Sequence, residues 1–286
     1  MKASIESVNF DSGGKPVITR DVLSGVYQAD PALVHEAEGA IADFERSIAP
    51  SAWPFLDKAT VIADLRARVN DPFQINQGGQ PFCGPAAVLF ELVRKQPSRY
   101  VEMCRSLFLV GGFQGYSHYI AASDELRHNS RGDLKMGQAD WMVLATLREM
   151  ENVLFPVEPN APDLMRDLAG MTKSWEMKGW IREILGYKNA DYNHSYVMFD
   201  IKAMNDAASA IQAGGVAFAL ITAEGMLGDN SPLIPFPSHW IAILGNIAVQ
   251  SDPVNFDIYT WSKQMHLAMD SGSLKKYLWA TVTGTP

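Results

Sequence analysis

Gln77-Gly78-Gly79-Gln80-Pro81-Phe82-Cys83-Gly84-Pro85 runs directly into Ala86, Leu89, Phe90 and Val93. These four apolar residues follow the i, i+3, i+4, i+7 spacing of one helix face. Ala87, Val88 and Leu92 are apolar as well, so the helix is expected to be buried on most sides, with Glu91, Arg94 and Lys95 on its wet edge. Pro85 suits a first helical turn, where its missing N–H costs nothing. Cys83 therefore stands at a loop-to-helix junction. Backbone N–H groups and the helix dipole favour negative charge at such a point, and a thiol there is drawn toward the reactive thiolate. Buried cysteines are mostly inert packing. The two glycines upstream, and Gln77 six positions before it, set Cys83 apart from that background.

Upstream, residues 1 to about 30 are broken by Gly13-Gly14 and Pro16 and predict an irregular arm with a short strand near Pro16–Thr19. Asp30-Pro31 then opens a helix marked by Leu33, Ala37, Ala40, Ile41 and Phe44, and a second helix spans about Asp57 to Val69. Trp53 and Phe55 lie between them as expected packing anchors. Residues 1–70 are thus expected to form a helical lead-in, and 71–286 the main domain.

Downstream, helices are expected over Ser98–Leu109, which contains Cys104, over Gln138–Met150, and from Thr172 or Ser174 to Gly186. Residues 124–137 predict a charged loop, and Pro156, Pro159 and Pro162 a long connection. A strand is expected at Tyr192–Ile201 and a helix at Ala203–Ala213, stopped by Gly214-Gly215. Short apolar runs follow at Val216–Thr222, His239–Leu244, Ile247–Gln250, Ile258–Thr260 and Tyr277–Val282, which predict strands. Helices first and strands later is the order of an α+β fold.

Composition limits the function. The 286 residues are 47% apolar and 20% charged, and the net charge is −8. No basic run is present, so nucleic acid is not an expected partner. No stretch of about eighteen uncharged apolar residues predicts a membrane span. The first residues lack the apolar segment of a secretory signal, so the chain is expected to be cytoplasmic, or exported by a route that leaves no cleavable signal. Two cysteines give no disulfide framework. Six histidines scattered singly, with no His-Glu-x-x-His, predict neither a metal site nor a cofactor. Gly111-Gly112-Phe113-Gln114-Gly115 lacks the strand–turn–helix setting of a dinucleotide loop.

A thiolate nucleophile needs a base, and the base needs an orienting group. Of the six histidines, His239 stands out. It follows Pro235-Phe236-Pro237-Ser238 and opens the apolar run Trp240-Ile241-Ala242-Ile243-Leu244. The run Ile247–Gln250 ends in Ser251-Asp252-Pro253. If the two runs pair as a hairpin, Asp252 returns to the end that carries His239, where a carboxylate can fix the imidazole tautomer. Asn255 and Asp257 are the alternatives for that place.

Gln77 six residues before Cys83 at a helix start resembles the oxyanion glutamine and nucleophile of papain-like cysteine peptidases. His239-Trp240 opening a strand, with a following strand ending in Asp252-Pro253, is similar to the bacterial branch that processes double-glycine leader peptides and to its soluble relatives. The helix at Ala203–Ala213, the strand from Val216 and the loop before His239 keep the order of those relatives. So do Gly170-Met171-Thr172 and Gly186-Tyr187. The resemblance covers about residues 72–270. Cys83 is followed by Gly84 rather than the aromatic residue of plant-type enzymes, Gln80 offers a second glutamine, and the insert between Cys83 and His239 is longer than in minimal relatives.

The resemblance implies a papain-like fold, with a helical half that carries the nucleophile helix packed on an antiparallel β-sheet. It also implies a Cys83–His239–Asp252 triad with Gln77 in the oxyanion site, acting on a peptide, isopeptide or amide bond. Protein or peptide substrates are then the expected partners. A bacterial effector or toxin role, with an inhibitor or immunity protein, is an expectation by analogy. Glutamine deamidation or transglutamination uses the same apparatus, and a non-catalytic interaction module on this fold is the remaining alternative.

Overall fold

The apolar stripe after Cys83 forms the helix it predicts. The computed structural model describes residues 18–25, 27–154, 171–194, 201–228, 232–250 and 252–286. Gly13-Gly14, Pro16, Gly170 and the connection at Pro156, Pro159 and Pro162 lie outside these residues. In chain order the elements are β1 (Ile18–Val22), α1 (Pro31–Arg46), α2 (Lys58–Asn70), a 3-10 turn (Pro72–Gln74), α3 (Cys83–Lys95), α4 (Pro97–Val110), β2 (Gly112–Gln114), β3 (Tyr119–Ala121), α5 (Asp124–Asn129) and α6 (Gln138–Leu154). There follow α7 (Ser174–Glu183), β4 (Asn189–His194), α8 (Lys202–Gln212), β5 (Val216–Ile221), α9 (Ala223–Met226), β6 (His239–Ala248), β7 (Val254–Thr260), β8 (Lys263–Met269), α10 (Ser271–Tyr277) and β9 (Leu278–Thr285). Helices precede most of the strands and the pairing is antiparallel, so the chain is α+β.

The chain divides into two compact units, one of residues 27–186 and one of residues 1–26 with 187–286. The expected boundary at residue 70 falls inside the first. There α1 packs on α2 and α4, and α3 on α4, α6 and α7. Asp30 caps α1 by accepting from the Ala32 N–H at 2.9 Å, with Pro31 at the first helical position. Asp57 caps α2 through the Thr60 N–H at 2.7 Å. Every residue of α3 from Cys83 to Val93 is buried, and each fully buried Leu, Val or Phe contributes about 1.5–3 kcal/mol. Glu91, expected on the wet edge, is fully buried, and Arg94 one turn later holds its carboxylate at 2.8 Å. Trp53 anchors as expected, its indole donating to the Leu107 carbonyl at 2.8 Å, whereas Phe55 is exposed. The expected turn after Gly111 contains a strand, since β2 pairs with β3, and the charged loop contains the short α5.

The sheet unit is a seven-stranded sheet in the order β1-β8-β7-β6-β5-β9-β4. Residues 18–22, assigned from sequence to the lead-in, form an edge strand on β8, with Thr19 opposite Ala268 and Asp21 opposite His266. One face packs on α8, α9 and α10. Ala203, Met204, Ala207, Met226, Leu274 and Tyr277 meet Ala219, Ile241, Phe256, Ile258 and Leu267 there.

Two turns in this unit differ from expectation. Gly245-Asn246 reads as a turn between two strands. It is an irregularity inside the single strand β6, with φ of 143° and 52° and a register shift on either side. The β7–β8 hairpin turns instead on Trp261-Ser262, both with positive φ (44° and 61°), as a two-residue type I′ turn requires.

Candidate active site

Gln77 and Cys83 stand in the helical unit, and the loop that carries them is fixed by a buried ion pair. Arg68 donates to both oxygens of Asp140, at 3.2 and 2.7 Å, and to Asp64 at 3.0 Å. Asp140 in turn accepts the Asn76 N–H at 3.1 Å. Burial pushes the Asp140 carboxyl up and Arg68 opposes that shift. Burial works against the charge of Arg68, and Asp140 more than reverses it, leaving the guanidinium strongly basic. Beyond Asn76 the chain turns at Gly78 (φ 57°), where a Cβ would lie 2.5 Å from the Lys135 carbonyl. Only glycine fits both that conformation and that approach. The Gln80 N–H donates to the Gln77 carbonyl at 2.9 Å, and the Gln77 amide closes the same turn by donating to the Gln80 carbonyl at 3.0 Å. A primary amide has a second N–H beyond the one so used.

Phe82 is the residue before α3 and offers no side-chain cap, which leaves the first-turn donors to the backbone. Those donors are the N–H groups of Cys83 and Gly84, because Pro85 has none. Cys83 is buried and, like Cys104, forms no disulfide. Cys104 lies on α4 in full burial, which pushes its thiol well up.

Behind Cys83, Gly84 lies against Thr172. The Thr172 hydroxyl donates to Glu151 at 2.7 Å, the Trp180 indole donates to the same oxygen at 3.2 Å, and Arg148 pairs with the other. Burial pushes Glu151 up. It also lifts Glu176 to about 7, with help from Glu151. Sequence reasoning missed this network because its members span separate elements. The one local signal was Glu176 three residues after Lys173, the spacing of a capping box, in which Glu176 accepts the Lys173 N–H at 2.5 Å.

A Gly84→Ala substitution tests how tightly the start of α3 is seated. The added methyl would lie 2.4 Å from the Thr172 hydroxyl oxygen. Overpacking of this kind costs about 1–3 kcal/mol. Thermal unfolding is expected to show a lowered midpoint, with no loss for Gly39→Ala on α1, where nothing lies within 4 Å of a Cβ and φ is not positive.

His239 and Asp252 stand in the sheet unit. The chain entering β6 is tied down by Ser238, whose N–H donates to the Ile221 carbonyl at 2.9 Å and whose hydroxyl accepts the Ala223 N–H at 3.0 Å. His239 then begins the strand opposite Ile221, with 4% of its surface exposed. Its Nε2 lies 2.9 Å from the Thr260 hydroxyl, and its ring stacks on Trp261 with centroids 4.6 Å apart. Burial lowers the imidazole to about 4, so it is neutral at neutral pH.

Asp252 is not brought to His239. β6 continues to Ala248 before the chain reverses, so His239 and Asp252 lie at opposite ends of the β6–β7 ladder. The nine steps along β6 from His239 to Ala248 span about 30 Å. Asp252 instead accepts the Ser271 N–H at the start of α10, at 3.1 Å. Asn255 is opposite Ala248 at that same far end and donates to the Pro253 carbonyl. Asp257 lies between the core residues Phe256 and Ile258 and so projects from the other face. It is bound there by His266 at 2.6 Å and by Asn246 at 2.5 Å. Thr260, which meets the imidazole together with Trp261, was missed because their hairpin carries no Asn-Gly or Asp-Gly signal.

Among the described residues no group of three or more His, Cys, Asp and Glu side chains is placed to hold a metal ion, and no helix is long and apolar enough to cross a membrane. No protein-family model matches the chain, and no curated protein matches it.

Proposed function

We propose that the chain is a papain-like thiol hydrolase that opens a peptide, isopeptide or amide bond through an acyl-enzyme on Cys83. In this reading His239 removes the thiol proton and the thiolate attacks the carbonyl carbon. The Cys83 N–H and the second amide N–H of Gln77 stabilise the oxyanion. His239 then returns the proton to the leaving amine, and water resolves the thioester. The observation that carries the reading is the state of His239: buried, neutral, held at one ring nitrogen by Thr260 and stacked on Trp261. An imidazole so fixed keeps its other nitrogen unprotonated at neutral pH, the form a proton acceptor needs, although burial makes it a weaker base than a free imidazole. Cys83 supports it by standing at the first position of a buried helix whose N-cap residue, Phe82, makes no side-chain cap hydrogen bond.

The reading is tested by incubating the protein with a degenerate mixture of peptides and peptide amides and following masses. Cleaved peptides that require Cys83, and are absent with Cys83→Ala, are the expected result. Deamidated or amine-linked products that require Cys83 would redirect the chemistry to glutamine side chains, and no Cys83-dependent product of any kind would overturn the reading.

A further inference from the structure

We propose that the groove between α8 and the edge strand β4 binds a neutral saccharide chain, held by a row of threonine hydroxyls on β9. All of its residues belong to the sheet unit, so the inference is independent of the thiol-hydrolase reading.

The topology makes the groove. α8 packs over β5, β6 and β9, and β4 lies one strand further out. A corner of about 510 Å³ is left between the flank of the helix and the edge strand. The register fixes what faces it. Asp191 and Asn193 of β4 stand opposite Thr283 and Thr281 of β9, and Thr285 continues the row, since residues two apart project from one face. That face is the one under α8, because Ala217 and Ala219 of β5, opposite Thr283 and Thr281, belong to the core beneath the helix. From α8, Lys202, Asp206 and Ser209 line the groove at i, i+4 and i+7, beside the buried stripe of Ala203, Ala207 and Ala210.

Chemistry narrows the ligand. Small-molecule sites of this volume are mostly apolar. Among the described residues that line this one, Ala210 is the one aliphatic side chain, which disfavours an apolar ligand. An anion is disfavoured too, because Lys202 is paired with Asp206 at 2.6 Å and Asp191 adds a further negative charge. Hydroxyls and primary amides both donate and accept hydrogen bonds. Ser209, Thr283, Thr285 and Asn193 can therefore meet a sugar hydroxyl in either sense, and Asp191 can accept from one. Thr281 is 1% exposed and turns its hydroxyl to the Ala203 carbonyl, so Thr283 and Thr285 carry the open part of the row. From Thr281 to Thr285 the row is about 13 Å long. That is longer than one pyranose ring, so the fit is to an oligosaccharide.

The test is binding of the full chain to a broad array of immobilised glycans, followed by calorimetric titration with the free form of the best glycan. Wild type is expected to bind neutral oligosaccharides in preference to their monosaccharides and to sialylated or sulfated glycans. Thr283→Val keeps the branched shape and removes the hydroxyl, and is expected to weaken binding about three- to tenfold. Thr283→Ser is expected to restore it. Ser209→Trp, at an exposed position of α8, is expected to abolish binding by filling the groove, and it carries the test if Thr283→Val fails to fold. Cys83→Ala is expected to bind as wild type does, which separates this site from the thiol chemistry. No glycan bound at millimolar concentration, binding to anionic glycans alone, or binding that either folded groove variant leaves unchanged would overturn the proposal.

Discussion

Replacing His239 by alanine is expected to slow alkylation of Cys83 at pH 7 by about a hundredfold or more, the range that loss of a positioned general base produces. Wild-type Cys83 is expected to react faster than Cys104, and His239→Ala to remove most of that difference. Both thiols are buried, so exposure alone does not separate them. Their settings do. Cys104 is enclosed on α4, where burial raises its thiol. Cys83 opens α3, where the helix dipole favours the thiolate. In the proposed mechanism the imidazole adds what the dipole cannot, an acceptor for the proton as the sulfur attacks. Because His239 is neutral down to about pH 4, that acceptor is present across the neutral range. Quantitative mass spectrometry of the two cysteine peptides after timed alkylation measures the effect, and equal labelling of the two cysteines in wild type would dismiss the reactive thiolate.

Replacing Asp140 by alanine is expected to cost about 3–5 kcal/mol, the usual consequence of leaving a buried charge without its partner. Arg68 would keep only Asp64, and the Asn76 N–H would lose its acceptor. Each kcal/mol lowers the melting midpoint by about 2–4 °C in a chain of this size class, so the fall should be obvious in a thermal scan. A fall in the denaturant midpoint without a change in slope would show that stability, not the denatured state, was altered. The triple change Arg68→Met, Asp140→Leu and Asp64→Asn is expected to recover most of the stability, since apolar groups replace the buried ion pair and Asp64 is not left as an unpaired carboxylate. It would not restore the Asn76 anchor, so the loop through Gln77 should remain looser and Cys83 chemistry slower than in wild type. Stability and loop placement are thereby separated.

Local pattern carried the helices. The stripe from Ala86 to Val93, the Asp30 and Asp57 caps and the stop at Gly214-Gly215 are all written within a few residues, and each element forms where it is predicted. What fails is long-range. β1 belongs to the sheet because it pairs with β8, about 250 residues later, and nothing in residues 18–22 announces that partner. Arg68 and Asp140, which fix the loop before Cys83, are 72 residues apart. Gly245-Asn246 has the composition of a turn, but the ladder absorbs it as an irregularity, and that single misplacement put Asp252 at the wrong end of the hairpin. Trp261-Ser262 makes the real turn without glycine or asparagine, at a cost of about 1–2 kcal/mol per left-handed residue. The turn also seats Trp261 against His239. The places of Cys83 at the start of α3 and of His239 at the start of β6 were thus readable, while the hydrogen-bond partner of the imidazole depended on register.

The proposed reaction requires the Cys83 thiol and the His239 imidazole to act together. It is tested most directly by crosslinking in the full chain carrying His239→Cys and Cys104→Ser, treated with a short bis-thiosulfonate and digested. A crosslinked peptide joining positions 83 and 239 in high yield, lost on prior denaturation, is the predicted result. Separate modification of both positions with no joined peptide would contradict it.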